Sequence, residues 1–299
     1  MKVLITGANG LLGQHLVKLL LQNDYEVVAT GRGESRLPFT ASDKYVYHSM
    51  DITNGLETFD VMSREKPTVV VHTAAMTNVD DSELRPQLCE QINVQGTSQV
   101  LTDAEMFSSH FIYISTDFVF DGEQGNYSEE DETKPISWYG FTKMQAEAIA
   151  QTSTIPFTIV RTCLVYGNVL SGTRSNIINW VKESLQQGKS IQVVTDQWRT
   201  PTYVEDLAKG ILLIIQKKAE GIYHLSGKDW LSPYQMALKT AAYFNLDATK
   251  IEKADASNFQ QPGRRPLKTG FVIEKARKEL DYEPLSFEEG LGKMANFQI

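Results

Sequence analysis

Short apolar runs alternate with helical patterns through the first half of the chain. Lys2-Val-Leu-Ile-Thr6 predicts a buried strand, Leu11 to Leu21 a helix, and Tyr25 to Thr30 a second strand. Thr68-Val-Val-Val-His72, His110-Phe-Ile-Tyr-Ile-Ser115 and Phe157-Thr-Ile-Val-Arg161 predict three more. Helical stretches lie near 55–65 and 85–107, and a further helix carries Tyr139. Strands that are apolar throughout and alternate with helices predict an α/β fold with a parallel sheet covered on both faces. In such sheets ligands bind beyond the carboxyl ends of the strands, where the strand order reverses. After about residue 165 the rhythm changes. Helical patterns near 175–187, 204–217 and 232–245 are separated by short strand candidates at 191–194 and 222–225. We therefore expect a main domain over 1–165 and a smaller α/β lobe over 166–299, some of whose segments return to the main sheet.

The chain has 299 residues, 41% hydrophobic and 22% charged, enough for a sizeable core. A net charge of -8 offers no broad basic surface, so nucleic acid is not an expected partner, and an anionic substrate needs locally placed cations. The longest apolar stretch, Leu11 to Leu21, is interrupted by Gln14, His15 and Lys18, so no membrane span is expected. The N-terminus has no signal layout, and Cys89 and Cys163 are too few for a disulfide framework; a cytoplasmic location follows as the default. Five histidines without ligand spacing predict no metal site.

Thr6-Gly7-Ala-Asn9-Gly10-Leu11-Leu12-Gly13 joins the first strand to the first helix. Gly7 permits the turn, Gly10 lets backbone approach a pyrophosphate, and Gly13 allows close helix–strand packing. With the helix N-terminus offering unpaired N–H groups, this is a dinucleotide loop, and the sheet is of the Rossmann doubly wound type. The second strand ends in Thr30-Gly-Arg32-Gly33, where an NAD site usually has an acid. Arg32 suits a 2′-phosphate, so NADP(H) is the expected cofactor; a solvated Arg32 would leave NAD(H) open. Asp51 can accept from an adenine amino group or cap a helix.

Tyr139 and Lys143, four apart, share one face of a helix, where an ammonium can stabilise a phenolate. The spacing alone also fits an exposed helix with an aromatic on its inner edge, so the surroundings decide. Upstream, Ser115-Thr116-Asp117-Phe118 stands at the carboxyl end of a strand, where a hydroxyl can bond a substrate carbonyl. Gln261-Pro-Gly-Arg264-Arg265-Pro266 reads as a stiff basic loop, able to hold a diphosphate or simply solvated. Trp198 either packs the lobe or meets a base or sugar.

These features resemble the extended short-chain dehydrogenase/reductase family, through the glycine loop, His72-Thr-Ala74-Ala75, Asn93, Ser115-Thr116 and Tyr139/Lys143. Within it the chain is most similar to the dTDP-4-dehydrorhamnose reductases. Ala74-Ala-Met-Thr77-Asn78-Val79-Asp80 with Ser82-Glu83, Ser115 to Phe120, Asp196-Gln197 with Pro201-Thr202, and Arg264-Arg-Pro266 carry that similarity over nearly the whole chain. The resemblance implies catalysis by Thr116, Tyr139 and Lys143, with Ser115 as the neighbouring hydroxyl. It implies cofactor contacts from Gly7, Asn9, Gly10, Leu11, Leu12, Gly13, Arg32, Asp51, Ile52, Ala74, Ala75, Asn93, Tyr139 and Lys143. Substrate contacts are expected from Thr77, Asn78, Val79, Asp80, Asp117 and Phe118, and from Arg264 or Arg265. The implied reaction passes hydride to the 4-keto carbon of a nucleotide-linked sugar while Tyr139 delivers a proton; a homodimer is compatible with it. A free phenol titrates near pH ~10, and work near neutrality needs roughly 4 kcal/mol of phenolate stabilisation, expected from Lys143 and the oxidised nicotinamide.

The chain departs from those reductases at Leu164, where they usually carry Trp, and less sharply at Phe118 and Phe120 in place of Tyr. Dehydratases of similar sequence use Thr-Asp-Glu, so Phe118 removes the second carboxylate that dehydration needs. Epimerisation is less constrained. A non-catalytic regulatory role, as in the similar β subunit of methionine adenosyltransferase, is the remaining alternative.

Overall fold

The apolar runs form the centre of one parallel sheet. The computed structural model describes residues 1–172 and 176–297. Its first half runs β1 (Lys2–Thr6), α1 (Leu11–Gln22), β2 (Glu26–Gly31), β3 (Tyr45–Ser49), α2 (Gly55–Glu65), β4 (Val69–His72), α3 (Val79–Leu84), α4 (Pro86–Glu90), α5 (Gly96–Met106), β5 (His110–Thr116), α6 (Trp138–Gln151) and β6 (Phe157–Thr162). There follow β7 (Val165–Tyr166), α7 (Ile177–Gln186), β8 (Ile191–Val194), β9 (Thr202–Tyr203), α8 (Val204–Lys217), β10 (Gly221–His224), α9 (Pro233–Tyr243), β11 (Ile251–Ala254), α10 (Glu274–Leu280) and α11 (Phe287–Ala295). The helical pattern expected near 175–187 is seen from Ile177; residue 175 lies outside the described residues.

The sheet order is β10-β6-β5-β4-β1-β2-β3, with every neighbouring pair parallel. From β1 the chain steps outward to β3, then returns to the other side of β1 at β4. The loops after β1 and β4 therefore flank the reversal, where a Rossmann sheet opens to a ligand. Alternate residues of each strand face opposite sides. Val3, Ile5 and Val71 pack with Leu16 and Leu20 of α1 and Leu207 and Ile211 of α8. Leu4, Val70 and Phe111 pack with Met62 of α2, Val100 of α5 and Ala146 of α6. Each such side chain contributes roughly 1.5–3 kcal/mol of burial, which is why the strand interiors are so largely apolar.

β3 was not legible as a strand: it is the sheet's edge, and Tyr47 and His48 leave it only half apolar. The helix expected near 85–107 runs from Pro86 to Met106 with one irregularity. Pro86 starts α4, and a π-turn over Gln91–Gln95 precedes α5, adding a residue and directing Asn93 into the interior. β10 lies at the sheet's other edge, beside β6. β8 pairs with β11 in a separate two-stranded sheet against α7 and α9. α9 and α11 begin with capping boxes, Ser232/Gln235 and Ser286/Glu289. Among the described residues no helix is long and apolar enough to cross a membrane.

The register of β5 on β6 sets Ser115 beside Arg161. Arg161 donates from Nε at 3.0 Å and from Nη2 at 2.7 Å to the Glu147 carboxylate of α6, and both side chains are buried. Removing one member strands the other's charge, at a cost of ~3–5 kcal/mol, whereas removing both does not. Urea unfolding of Arg161→Met is expected to show that loss, and Arg161→Met with Glu147→Leu a smaller one. A double variant as unstable as the single would show that the charge itself is not what matters.

Candidate active site

The loop after β1 forms a cradle for an anion. Gly7 has φ +67°, and a Cβ there would come within 2.8 Å of the Ala74 nitrogen, so only glycine lets this turn meet the loop after β4. The first turn of α1 has neither a capping side chain nor an acid, which leaves its N–H groups for a ligand. Two cavities meet over this loop, both bordered by Gly7, Gly10, Ala75 and Thr77. One, of about 620 Å³, runs along Asn9, Arg32, Arg36, Asp51, Ile52 and Ala74. The other, of about 420 Å³, is bordered by Leu11, Leu12, Gly13, Val79, Thr116, Phe118, Tyr139, Lys143 and Leu164.

At the first cavity, Asn9 fastens the loop after β2. It accepts from the Arg36 nitrogen at 2.8 Å and donates to the Glu34 carbonyl and the Tyr47 hydroxyl. Arg32 and Arg36 border the space, and among the described residues neither guanidinium makes a hydrogen bond or ion pair. Asp51 does not cap α2, whose N-cap is Asn54; its Oδ1 accepts from the nitrogen and hydroxyl of Thr53, and the residue borders the cavity. A glycine cradle, a bare helix terminus and two unpaired arginines fit a dinucleotide with an extra phosphate. Among the described residues no three His, Cys, Asp or Glu side chains are grouped to hold a metal ion.

In the second cavity α6 sets the geometry. Ser137 caps it, accepting from the Gly140 nitrogen at 3.2 Å, so Tyr139 stands in the first turn and Lys143 one turn on. A Cβ on Gly140 would lie 2.1 Å from the Phe118 carbonyl oxygen; the bare glycine lets the helix end meet the end of β5. The rings of Phe118 and Tyr139 then meet edge to face at 5.7 Å. Lys143 donates to the Ile114 carbonyl at 2.6 Å, with its ammonium 4.1 Å from the centre of the Tyr113 ring.

Burial governs the titration of this group. It pushes the Lys143 ammonium down to about 7, against the raising effect of Glu147. It pushes the Tyr139 phenol well above its ordinary value; a hydrogen bond with Thr116 eases this, and the Asp117 charge adds to it. Without the dinucleotide the ammonium is engaged by Ile114 and Tyr113 and does not offset this rise. His72, beneath, is held neutral at about 3 by burial and by Lys143. Thr97 gives its proton to the Asn93 carbonyl at 2.7 Å, so His72 Nε2 must donate to Thr97 and Nδ1 must accept from Thr6.

Other expected residues stand differently. Asn93 is fully buried and borders neither cavity; its amide grips Met76 on both backbone groups and reaches Thr142 at 3.1 Å, so it shapes the loop after β4 instead of touching a ligand. Ser115 borders the cavity, but its hydroxyl is donated to Glu147, away from a substrate. Asp117 also borders the cavity, with Oδ2 accepting from Cys163 and Thr269 beside Arg199 and Oδ1 accepting from Thr116. Arg264 is exposed and among the described residues has no partner, whereas Arg265 grips Asp80 with two bonds of 2.7 and 2.6 Å and borders a cavity between α7 and the 256–265 segment. Asp80 is therefore committed to Arg265, and Asn78 caps α3. Thr77 and Val79 do border the cavity. Trp198 stacks on Trp230 at 6.0 Å. Leu164, 38% exposed, has a left-handed backbone at φ +40°. Arg199 escaped the sequence reading; its position beside Trp198 gave no sign that it would turn inward to the Phe118 ring and the carbonyls of Pro266 and Leu267.

The model of the RmlD substrate binding domain family matches residues 1–298. A dTDP-4-dehydrorhamnose reductase of Aggregatibacter actinomycetemcomitans is 30% identical, covering 97% of both chains. The β subunit of methionine adenosyltransferase 2 of Bos taurus is 29% identical, over 84% of this chain and 74% of its own. A dTDP-4-dehydrorhamnose reductase structure from Bacillus anthracis, in complex with NADP, superposes with a TM-score of 0.84 at 28% identity over 98% of both chains.

The depressed lysine has a measurable consequence. Between about pH 7 and the ordinary lysine value near ~10.4, the unfolded chain binds a proton that folded Lys143 has released, so stability contributed by this site rises with pH. In urea unfolding from about pH 7 to about pH 9.5, wild type is expected to gain on Lys143→Met. A constant difference would mean that Lys143 titrates normally.

Proposed function

The chain belongs to the RmlD substrate binding domain family, and from that premise we propose that it is an NADPH-dependent reductase acting on the 4-keto group of a nucleotide-linked sugar. The observation that carries this reading is the convergence of Thr116, Tyr139 and Lys143 on one cavity bordered by the glycine loop. The dinucleotide, when bound, supplies the hydride. Gly7, Gly10 and the first turn of α1 would hold its diphosphate, and Arg32 with Arg36 a 2′-phosphate. The NADP complex of the Bacillus anthracis relative supports the same cofactor.

Reduction of a ketone needs an acid that still holds its proton when the carbonyl arrives. Tyr139 meets that need, because burial and the Asp117 charge keep the phenol neutral. As hydride reaches carbon, the oxygen becomes far more basic than a phenol, so the proton passes from the Tyr139 hydroxyl to it. Thr116, whose own proton is held by Asp117, offers its oxygen to fix the Tyr139 hydroxyl beside that carbonyl, and Lys143 supplies positive charge beneath. Thr77, Val79, Phe118 and Leu164 would border the sugar, whose identity is open. The nucleotide-side anion falls to Arg265, with Arg264 beside it.

Phe118 in place of a second carboxylate supports reduction over dehydration, while epimerisation is less constrained. A regulatory reading draws on the similarity to the methionine adenosyltransferase β subunit. The intact trio of Thr116, Tyr139 and Lys143 favours catalysis.

An assay of NADPH oxidation against nucleotide-linked 4-keto sugars tests the reading, and a protein that binds NADPH but reduces none of them would point to regulation. Tyr139→Phe is expected to bind NADPH as wild type does while turnover falls by roughly 10²–10⁴. Calorimetry is expected to give tighter binding of NADPH than NADH, with the preference abolished in Arg32→Ala. Equal affinities in wild type would remove Arg32 from the cofactor site.

A further inference from the structure

Asp117 sits between the catalytic strand end and a distant part of the chain. It is buried, with partners at both oxygens. Oδ2 accepts from the Thr269 hydroxyl and the Cys163 thiol and is ion-paired with Arg199 Nε at 3.6 Å. Oδ1 accepts the Thr116 hydroxyl at 3.1 Å. Oδ2 is thereby fully engaged, and Oδ1 is held to the Thr116 hydroxyl at the cavity's edge.

Its effect falls on Thr116. A hydroxyl has one proton, and here Asp117 takes it. The Thr116 oxygen is thereby left as an acceptor, and the Phe118 nitrogen donates to it at 3.3 Å. Tyr139 hydrogen-bonds the same side chain. The direction of the hydroxyl is thus set from beneath the cavity. Asp117 is anchored in turn by the segment 263–269. Arg199, which faces it, donates to the carbonyls of Pro266 at 2.7 Å and Leu267 at 3.0 Å, and Thr269 donates to it directly. The other end of that segment is held by Arg265 on Asp80.

We propose that Asp117 is a positioning residue that orients the Thr116 hydroxyl, and that the segment 263–269 holds it in place through Thr269 and Arg199. The proposal rests on the reductase reading for its catalytic consequence, but not for its structural one. Thr269 is wholly buried and borders no described cavity, and its hydroxyl reaches the site through Asp117.

Thr269→Val removes the hydroxyl and keeps the shape; Thr269→Ser restores the hydroxyl. In the free protein, amide exchange at Phe118 is expected to quicken by roughly tenfold in the valine variant, the scale of one charge-assisted hydrogen bond, and to return in the serine variant. With a reducible sugar, kcat is expected to fall by a similar factor in Thr269→Val at unchanged KM for NADPH, again with recovery in Thr269→Ser. Unchanged exchange and unchanged kcat in a merely less stable Thr269→Val would overturn the proposal. If wild type reduces no sugar, the reductase reading fails alone, and the exchange measurement still decides whether Thr269 positions Thr116.

Discussion

An ammonium kept from water is the constraint on which the site depends. Lys143 projects from α6 into the sheet, and its charge is met by the Ile114 carbonyl, the face of Tyr113 and, one helical turn on, Glu147. Glu147 cannot be buried alone, so Arg161 must lie on β6 to pair with it, and Ser115 turns its hydroxyl the same way. The strand order that sets β6 beside β5 is thus also what makes a buried lysine tolerable. Thr116, facing the opposite side of its strand, is left to the cavity.

The sequence made the sheet legible because its interior strands are buried on both faces and cannot hide their composition. Elements with only one demanding face were harder. β3 is a half-polar edge, and Ile251-Glu-Lys-Ala254 buries only its ends. α11 was detectable through its Ser286/Glu289 box, a signal that went unread. For the site, residue types and spacing identified Thr116, Tyr139 and Lys143, which border one cavity. What spacing could not reveal was which polar groups are already satisfied. Asp117 and Thr269 lie 152 residues apart, and Asp80 and Arg265 lie 185 apart. Such partners decide whether a carboxylate serves a ligand or the fold, and only the folded chain brings them together.

The same distinction bears on Tyr139. A Tyr–Lys pair suggests a phenol made acidic, yet burial keeps this one protonated. The two views describe different moments. A resting acid must hold its proton, and positive charge matters once the phenolate forms. Desolvation therefore does not oppose the role of Lys143 but separates it in time from the resting state.

Leu164 carries a consequence of another kind. A leucine at φ +40° occupies backbone space that glycine or asparagine would accept with less strain, roughly 1 kcal/mol less. Its side chain borders the cavity while its carbonyl accepts from the Thr202 nitrogen at 3.2 Å. Selection of a randomised library for thermal resistance would therefore drift at this position toward glycine, whereas selection for sugar reduction would be ruled by the shape of the side chain. Residue 164 is a position where breeding for robustness and breeding for specificity pull apart.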